Sequence, residues 1–256
     1  MGGGAAVMQR KYLNGAQLKN FAILCMFIDH VAACFLELAH TQSGASLAYA
    51  FPYGTSLDIA ARLIGRSAFP IFCFMIVEGF LHTHDRTRYF LRLLAFAAVS
   101  QVPFQLAFYP GQKTAELNTM FSLALGMTAI WTIDLLKCRL LKKDLAKNKA
   151  AFIILTGIVT ACFSAAAWQF HFDYTYICIL CMVVLYLLYN RKDIALPGAW
   201  VLTGLMGLPE LAGGFGFFLI SRYNGTRGKQ NKYFFYVFYP AHMLLLWLVR
   251  HLAFGY

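Results

Sequence analysis

The sequence predicts an all-α, polytopic transmembrane helical bundle of about eight to nine spans, and three observations carry that prediction. Of 256 residues, 60% are hydrophobic and 13% charged, where a soluble domain carries roughly 25% charged residues. The apolar residues gather into runs close to the roughly 20 residues that cross a hydrocarbon core about 30 Å thick. The basic residues, which set a net charge of +11, fall between those runs or beside them. A water-soluble globule, a disordered chain and a coiled coil are excluded.

In order, the spans are 17–39, 58–81, 89–110, 117–137, 150–169, 172–189, 194–207, 209–221 and 233–254. The first follows Arg10 and Lys11 and contains Lys19. It is long and leads to Glu37 rather than to a small-residue cleavage site, so it reads as a span and not as a cleavable signal peptide. Arg86–Arg92 separates the second span from the third. Six basic residues in 137–149 separate the fourth from the fifth. Arg191 and Lys192 follow the sixth, and Arg222–Lys232 precedes the last.

Eighteen of the 22 Lys and Arg lie in these clusters. Alternating the spans from a cytoplasmic N-terminus puts every cluster on one side, where the positive-inside rule and anionic lipid both favour it. The opposite connections, 40–57, 111–116, 170–171 and the turn near Pro209, are nearly free of Lys and Arg. We expect one integral membrane domain over 1–256, with 1–16 a short cytoplasmic segment, in the inner (cytoplasmic) membrane. Its expected surroundings are the lipid bilayer. No soluble domain offers a basic face, so nucleic acid is not an expected partner.

The stretch 194–220 departs from the pattern. Its two segments are short for full spans, and Gly204, Gly207, Pro209, Gly213, Gly214 and Gly216 interrupt them. One long span would carry Arg222, Arg227, Lys229 and Lys232 to the wrong side. A broken or re-entrant pair returns them, and irregular backbone at that depth must be covered by protein or line a cavity.

Seven cysteines, nearly all in apolar runs, form no disulfide framework. Cys178 and Cys181 match C-x-x-C inside a span and read as packing residues. His82 and His84 stand at i, i+2, which does not share a helix face, so no metal is expected. The loop from Asn224 to Lys229 is rich in glycine and base but lacks the Walker pattern.

Ionisable groups inside the spans carry the functional information, because a mid-span charge costs at least ~2.5–3.5 kcal/mol and normally faces a bundle interior or a cavity. They are Asp29, His30, Arg62, Arg66, Glu78 and His242. At 1.5 Å per residue, His30 lies about 18 Å and His242 about 14 Å from the cytoplasmic edge, and Arg66 about 12 Å from the other. One shared interior site is geometrically allowed. Asp58, Arg62 and Arg66 form an i, i+4, i+8 stripe whose arginines need more anion than Asp58 supplies; Asp29 or an anionic ligand would serve. A neutral imidazole takes a proton from an attacking amine or hydroxyl. His242 follows Pro240, which frees the Tyr236 carbonyl, so it either satisfies backbone or is aimed at a cavity.

Several runs are similar to the TraX family of membrane proteins: Leu18-Lys19 through Asp29-His30, Arg62 through Phe80-Leu-His82-Thr83, Ser100-Gln101-Val102-Pro103-Phe104, Asn118 to Gly126, Tyr223 to Lys229, and Lys232 to His242. They cover most of the chain in order, with 138–220 vague. More loosely, the Asp-His and Arg-x-x-Phe-Pro spans resemble those of transmembrane acyltransferases. The resemblance implies an acetyltransferase using cytoplasmic acetyl-CoA, with an acceptor such as a pilin N-terminus or an envelope glycan. His30 would be general base or acyl relay, Asp29 its electrostatic support and His242 a second acid or base. Arg62, Arg66 and Glu78 would position substrate. Arg86, Arg88, Arg92, Arg227, Lys229 and Lys232 would receive the phosphates. A transporter and a non-catalytic assembly factor of a pilus or envelope system stand as alternatives.

Overall fold

The computed structural model describes residues 12–37, 56–109, 111, 114–141 and 145–254. Arg10, Lys11, Lys113, most of 40–57 and the centre of the 137–149 loop lie outside them, as does the side chain of Lys232. The architecture is all-helical, as the composition predicts.

Helix α1 (Gly15–Val31) starts at a capping box in which Asn14 and Gln17 satisfy each other's backbone N–H groups, and it continues through a π-helical turn at Ala32–Glu37. The second span consists of α2 (Ser56–Gly65) and α3 (Ala68–His82), broken at Arg66 and Ser67. Pro70 explains the break, since it has no N–H to offer the Arg66 carbonyl. Asp85 caps α4 (Arg86–Phe108) by accepting from the Arg88 N–H. Three helices follow: α5 (Thr119–Leu141), α6 (Leu145–Gln169) and α7 (Thr175–Leu187). The last span is α10 (Lys232–Phe254).

Six stretches among the described residues are long and apolar enough to cross a membrane: Gly15–Leu36, Ser56–His82, Arg86–Phe108, Thr119–Leu140, Asn148–Gln169 and Tyr233–Ala253. Helix α7 is shorter. The stretch expected to break is a pair of half-helices, α8 (Lys192–Thr203) and α9 (Gly214–Ser221), joined by 3-10 turns at Gly204–Met206 and Leu208–Gly213. Trp200 Nε1 closes the pair by donating to the Leu211 carbonyl at 2.8 Å. Helix α9 packs on the break between α2 and α3, because Gly216 lies so close to the Ser67 carbonyl that a Cβ would meet it at 2.4 Å, whereas Leu205, Met206 and Leu208 of the 3-10 turns are exposed and outside the cavity lining.

Helices α5 and α7 fill the centre through Met127, Ile130, Ile133, Ile177, Ile179 and Met182, all fully buried. Cys178 and Cys181 point into this core against Cys73, as free thiols. Helix α6 instead exposes Ile153, Ile154 and Ile158, the pattern of a lipid-facing element. Arg250, fully buried in α10, donates to the Leu106 and Ala107 carbonyls at 2.8 and 2.7 Å. These are acceptors that the last turn of α4 leaves without helical partners.

Each end of the bundle is tied by backbone pairing. At the end bearing the basic clusters, Leu13 bridges to Tyr223, and the N–H groups of Gly15 and Ala16 donate to Thr226 and Arg227. At the opposite end Leu117 bridges to Phe172. Beside it, fully buried Asn118 joins α5 to α4 through the Ala97 carbonyl and Gln101.

Candidate functional site

A cavity of about 500 Å³ enters the bundle from the basic end and reaches Asp29 and His30. Lys19 and His30 both line it from α1, separated by a rise of about 16 Å along the helix. Between them the walls are apolar, made by Ile23 and Met26 of α1, Phe72, Met75 and Ile76 of α3, and Leu93 of α4.

At the deep end two histidines meet. His30 Nδ1 lies 2.7 Å from His242 Nε2, with the rings stacked at 5.0 Å and 11°. His242 Nδ1 lies 2.7 Å from the Phe238 carbonyl. Of the two alternatives set out for His242, the first is what the structure shows: its imidazole satisfies backbone on its own helix and meets His30, without itself lining the cavity. The carbonyl it takes is that of Phe238, not the Tyr236 carbonyl freed by Pro240.

Asp29, expected to support His30, is engaged elsewhere. Adjacent helical residues diverge by about 100°, and the Asp29 carboxylate meets Arg62 Nη1 at 2.7 Å. This is the α1–α2 partnership expected for the arginine stripe. Arg66 does not extend that stripe, because it sits in the break after Gly65. It reaches across to Glu210 of the 3-10 turn, Nε to Oε1 3.0 Å. Tyr174, another lining residue, stacks on Phe69 with ring centroids 3.9 Å apart.

Glu78 lines the cavity nearer its mouth. Its carboxylate accepts from the hydroxyls of Tyr189 and Tyr223, and the Lys192 ammonium lies 5.0–5.5 Å from the ring centroids of Phe74, Tyr189 and Tyr223. Burial and the neighbouring Glu78 charge push the Tyr223 phenol well above its ordinary range. It stays a donor to Glu78.

The mouth is cationic. Lys19, Arg92 and Arg227 converge on it from α1, α4 and the 222–231 loop. Lys19 Nζ donates to Gln230 Oε1 at 3.1 Å, and Arg92 Nε to the Tyr236 hydroxyl at 3.1 Å. Arg227 stands near enough to Lys19 for their like charges to repel. Among the described residues none of the three is in an ion pair.

The six basic residues expected at phosphates thus separate. Arg92 and Arg227 line the cavity. Arg86 does not: Asp134 holds it at 2.6 Å, Tyr186 donates to the same carboxylate, and its guanidinium covers the Phe80 ring. Arg88 is exposed and paired with Asp85 at 3.0 Å, and Lys229 is exposed away from the lining. Sequence reasoning missed Lys19 as a lining residue and Glu210 as the partner of Arg66; Arg62, Arg66 and Glu210 lie outside the lining. The signal for Lys19 was its place inside an apolar run; for Glu210, a lone acid in an irregular stretch expected to line a cavity. Among the described residues no group of three or more His, Cys, Asp or Glu could hold a metal.

No solved structure matches this chain. A relative from Dichelobacter nodosus, described as "Probable fimbrial assembly protein FimC, serogroup H1", is 30% identical over 250 residues, covering 90% of this chain and 93% of the relative. The pattern of the TraX protein family matches residues 14–250. That match runs from the cap of α1 to buried Arg250 and takes in the whole cavity lining, so the chain belongs to the TraX family.

Proposed function

We propose that this protein is an integral membrane acetyltransferase, moving an acetyl group from cytoplasmic acetyl-CoA to an acceptor such as a pilin N-terminus or an envelope component. One observation carries the reading: one cavity joins three cations, in no ion pair among the described residues, to a histidine about 16 Å away, with apolar walls between. Such a cavity suits a donor with an anionic head, a long uncharged arm and a reactive end. Acetyl-CoA has that form, and it supplies an activated acetyl thioester. Lys19, Arg92 and Arg227 would hold its phosphates by charge and guanidinium hydrogen bonds. Ile23, Met26, Phe72 and Met75 would flank the arm and keep water from the thioester.

At the deep end His30 takes the proton of the attacking amine or hydroxyl. The acetyl carbon exchanges its C–S bond for the new C–N or C–O bond, and the proton passes to the departing sulfur, which leaves the imidazole neutral again. Arg62 and Asp29 hold α2 against α1 beside this point. The basic end faces the cytoplasm in this reading, which supplies the donor, and the protein sits in the inner membrane. The relative's description as a fimbrial assembly protein supports a pilin as acceptor. It equally favours the second reading, an assembly factor without catalysis.

Titrating the purified protein with acetyl-CoA separates the two, with mass spectrometry of pilins and envelope glycans from cells with and without the gene. Saturable binding and a lost acetyl mark are expected. Absence of binding would leave the assembly reading. In a cysteine-free background, Lys229→Cys is expected to resist an impermeant thiol reagent applied from outside; its labelling would reverse the orientation.

A further inference from the structure

We infer that His242 is a positioning residue that fixes the tautomer of His30, so that the nitrogen left for the cavity, Nε2, carries a lone pair instead of a proton. The inference rests on the proposed role of His30 as base and deepens it.

A neutral imidazole has one N–H and one lone pair. A carbonyl oxygen only accepts, so His242 Nδ1, 2.7 Å from the Phe238 carbonyl, must carry the proton. His242 Nε2 then holds the lone pair. His30 Nδ1 lies 2.7 Å from it, and two lone pairs at that distance would repel. The proton therefore sits on His30 Nδ1, and His30 Nε2 is left as an acceptor. Phe108 packs edge-on against the His30 ring at 5.0 Å and Phe238 stacks on His242 at 4.8 Å, which hold both ring planes.

The arrangement has a chemical purpose. Free neutral histidine favours the opposite tautomer, with its proton on Nε2, and an Nε2–H cannot accept a proton from an acceptor nucleophile. In a hydrolase triad a buried carboxylate sets the tautomer. Here Asp29 is bound to Arg62, and a second imidazole anchored on backbone takes that place. An uncharged orienting group also brings no additional charge into the bilayer interior, where a charge is costly.

The test reads the tautomer directly. Histidine labelled with 15N in the purified protein at neutral pH gives separate resonances for protonated and unprotonated ring nitrogens, and His30 is assigned by its loss in His30→Gln. We expect an unprotonated Nε2 and a protonated Nδ1 for His30 in the wild type, and a shift toward protonated Nε2 in His242→Leu. A protonated His30 Nε2 in the wild type, or an unchanged tautomer in His242→Leu, overturns the inference. The wild-type spectrum decides alone if His242→Leu fails to fold.

Turnover supplies a second readout. His242→Gln keeps an oxygen to accept from His30 Nδ1 and is expected to stay within about tenfold of wild type, whereas His242→Leu loses roughly 10²-fold or more. Equal loss in both, with the tautomer as inferred, would make His242 a proton carrier and overturn the positioning role. The spectra need neither donor nor acceptor, so failure of the acetyltransferase reading would show separately, as absent acetyl transfer with the tautomer intact.

Discussion

No methyl group fits between Gly65 and Asp29: a Cβ built on Gly65 would lie 2.3 Å from both Asp29 Cβ and Asp29 Oδ1. The last residue of α2 is a glycine because the carboxylate that receives Arg62 occupies the space a side chain would need. Gly65→Ala should therefore push Asp29 aside and loosen the α1–α2 contact, at a cost of about 1–3 kcal/mol typical of overpacking. Thermal unfolding in detergent measures it, and an unchanged midpoint would mean that Asp29 moves freely.

Replacing the proposed base is the sharpest test of the chemistry. His30→Gln keeps the size and a hydrogen-bonding group but cannot take a proton at neutral pH. We expect acetyl transfer to fall by roughly 10²–10⁴-fold, with acetyl-CoA affinity within a few-fold of wild type because the cations lie at the far end of the cavity. Near wild-type turnover in the folded variant would remove His30 from the mechanism.

The mouth predicts a salt-dependent pattern. Lys19→Gln, Arg92→Gln and Arg227→Gln should each weaken acetyl-CoA binding by about tenfold at low ionic strength, the scale of a hydrogen bond to a charged group. The differences should shrink as salt shortens the screening length to about 10 Å at 0.1 M. Arg88→Gln and Lys229→Gln, outside the lining, should bind as wild type does. Calorimetric titration at two salt concentrations compares all five.

The Arg66–Glu210 pair predicts an asymmetry between breaking and replacing. Glu210→Gln leaves a largely buried guanidinium without its counter-charge and should lower stability by about 3 kcal/mol. The double variant Arg66→Met with Glu210→Met removes both charges and should recover part of that loss. A double variant less stable than Glu210→Gln would show that the two side chains are not coupled in this way.

Much of this architecture was legible in the sequence because the bilayer restricts what a chain can do. Run length gave the spans. Placement of Lys and Arg ordered them, and the glycines of 194–220 marked the half-helix pair. The same logic found the Asp29–Arg62 partnership, since two opposite charges in neighbouring spans have few other places to go. It failed where a charge had two readings. Arg86 belongs to a basic cluster, and nothing in one dimension says that Asp134, a span and a half away, turns to meet it. Lys19 fits the topology as one more cytoplasmic-side cation, and that role hides its place in the cavity lining. Arg66 followed helical spacing from Asp58 and Arg62 on paper, but Pro70 ends that register and leaves Arg66 to a partner 144 positions on. The tyrosines that clasp Glu78 gave no signal, because a hydroxyl on an aromatic ring reads as apolar filling until its acceptor is known.

The hydrogen bonds that join 12–16 to 222–227 and His30 to His242 connect the beginning of the chain to its end, with 212 positions between the two imidazoles. During synthesis the chain enters the membrane from one end, so α1 waits while α2 to α10 are made. The mouth closes only when the 222–231 loop docks on the start of α1, and the imidazole pair forms only when α10 arrives. A ribosome-bound or truncated intermediate thus has neither a complete cationic mouth nor a paired His30. The order of insertion itself leaves the cavity unfinished until α10 is in place.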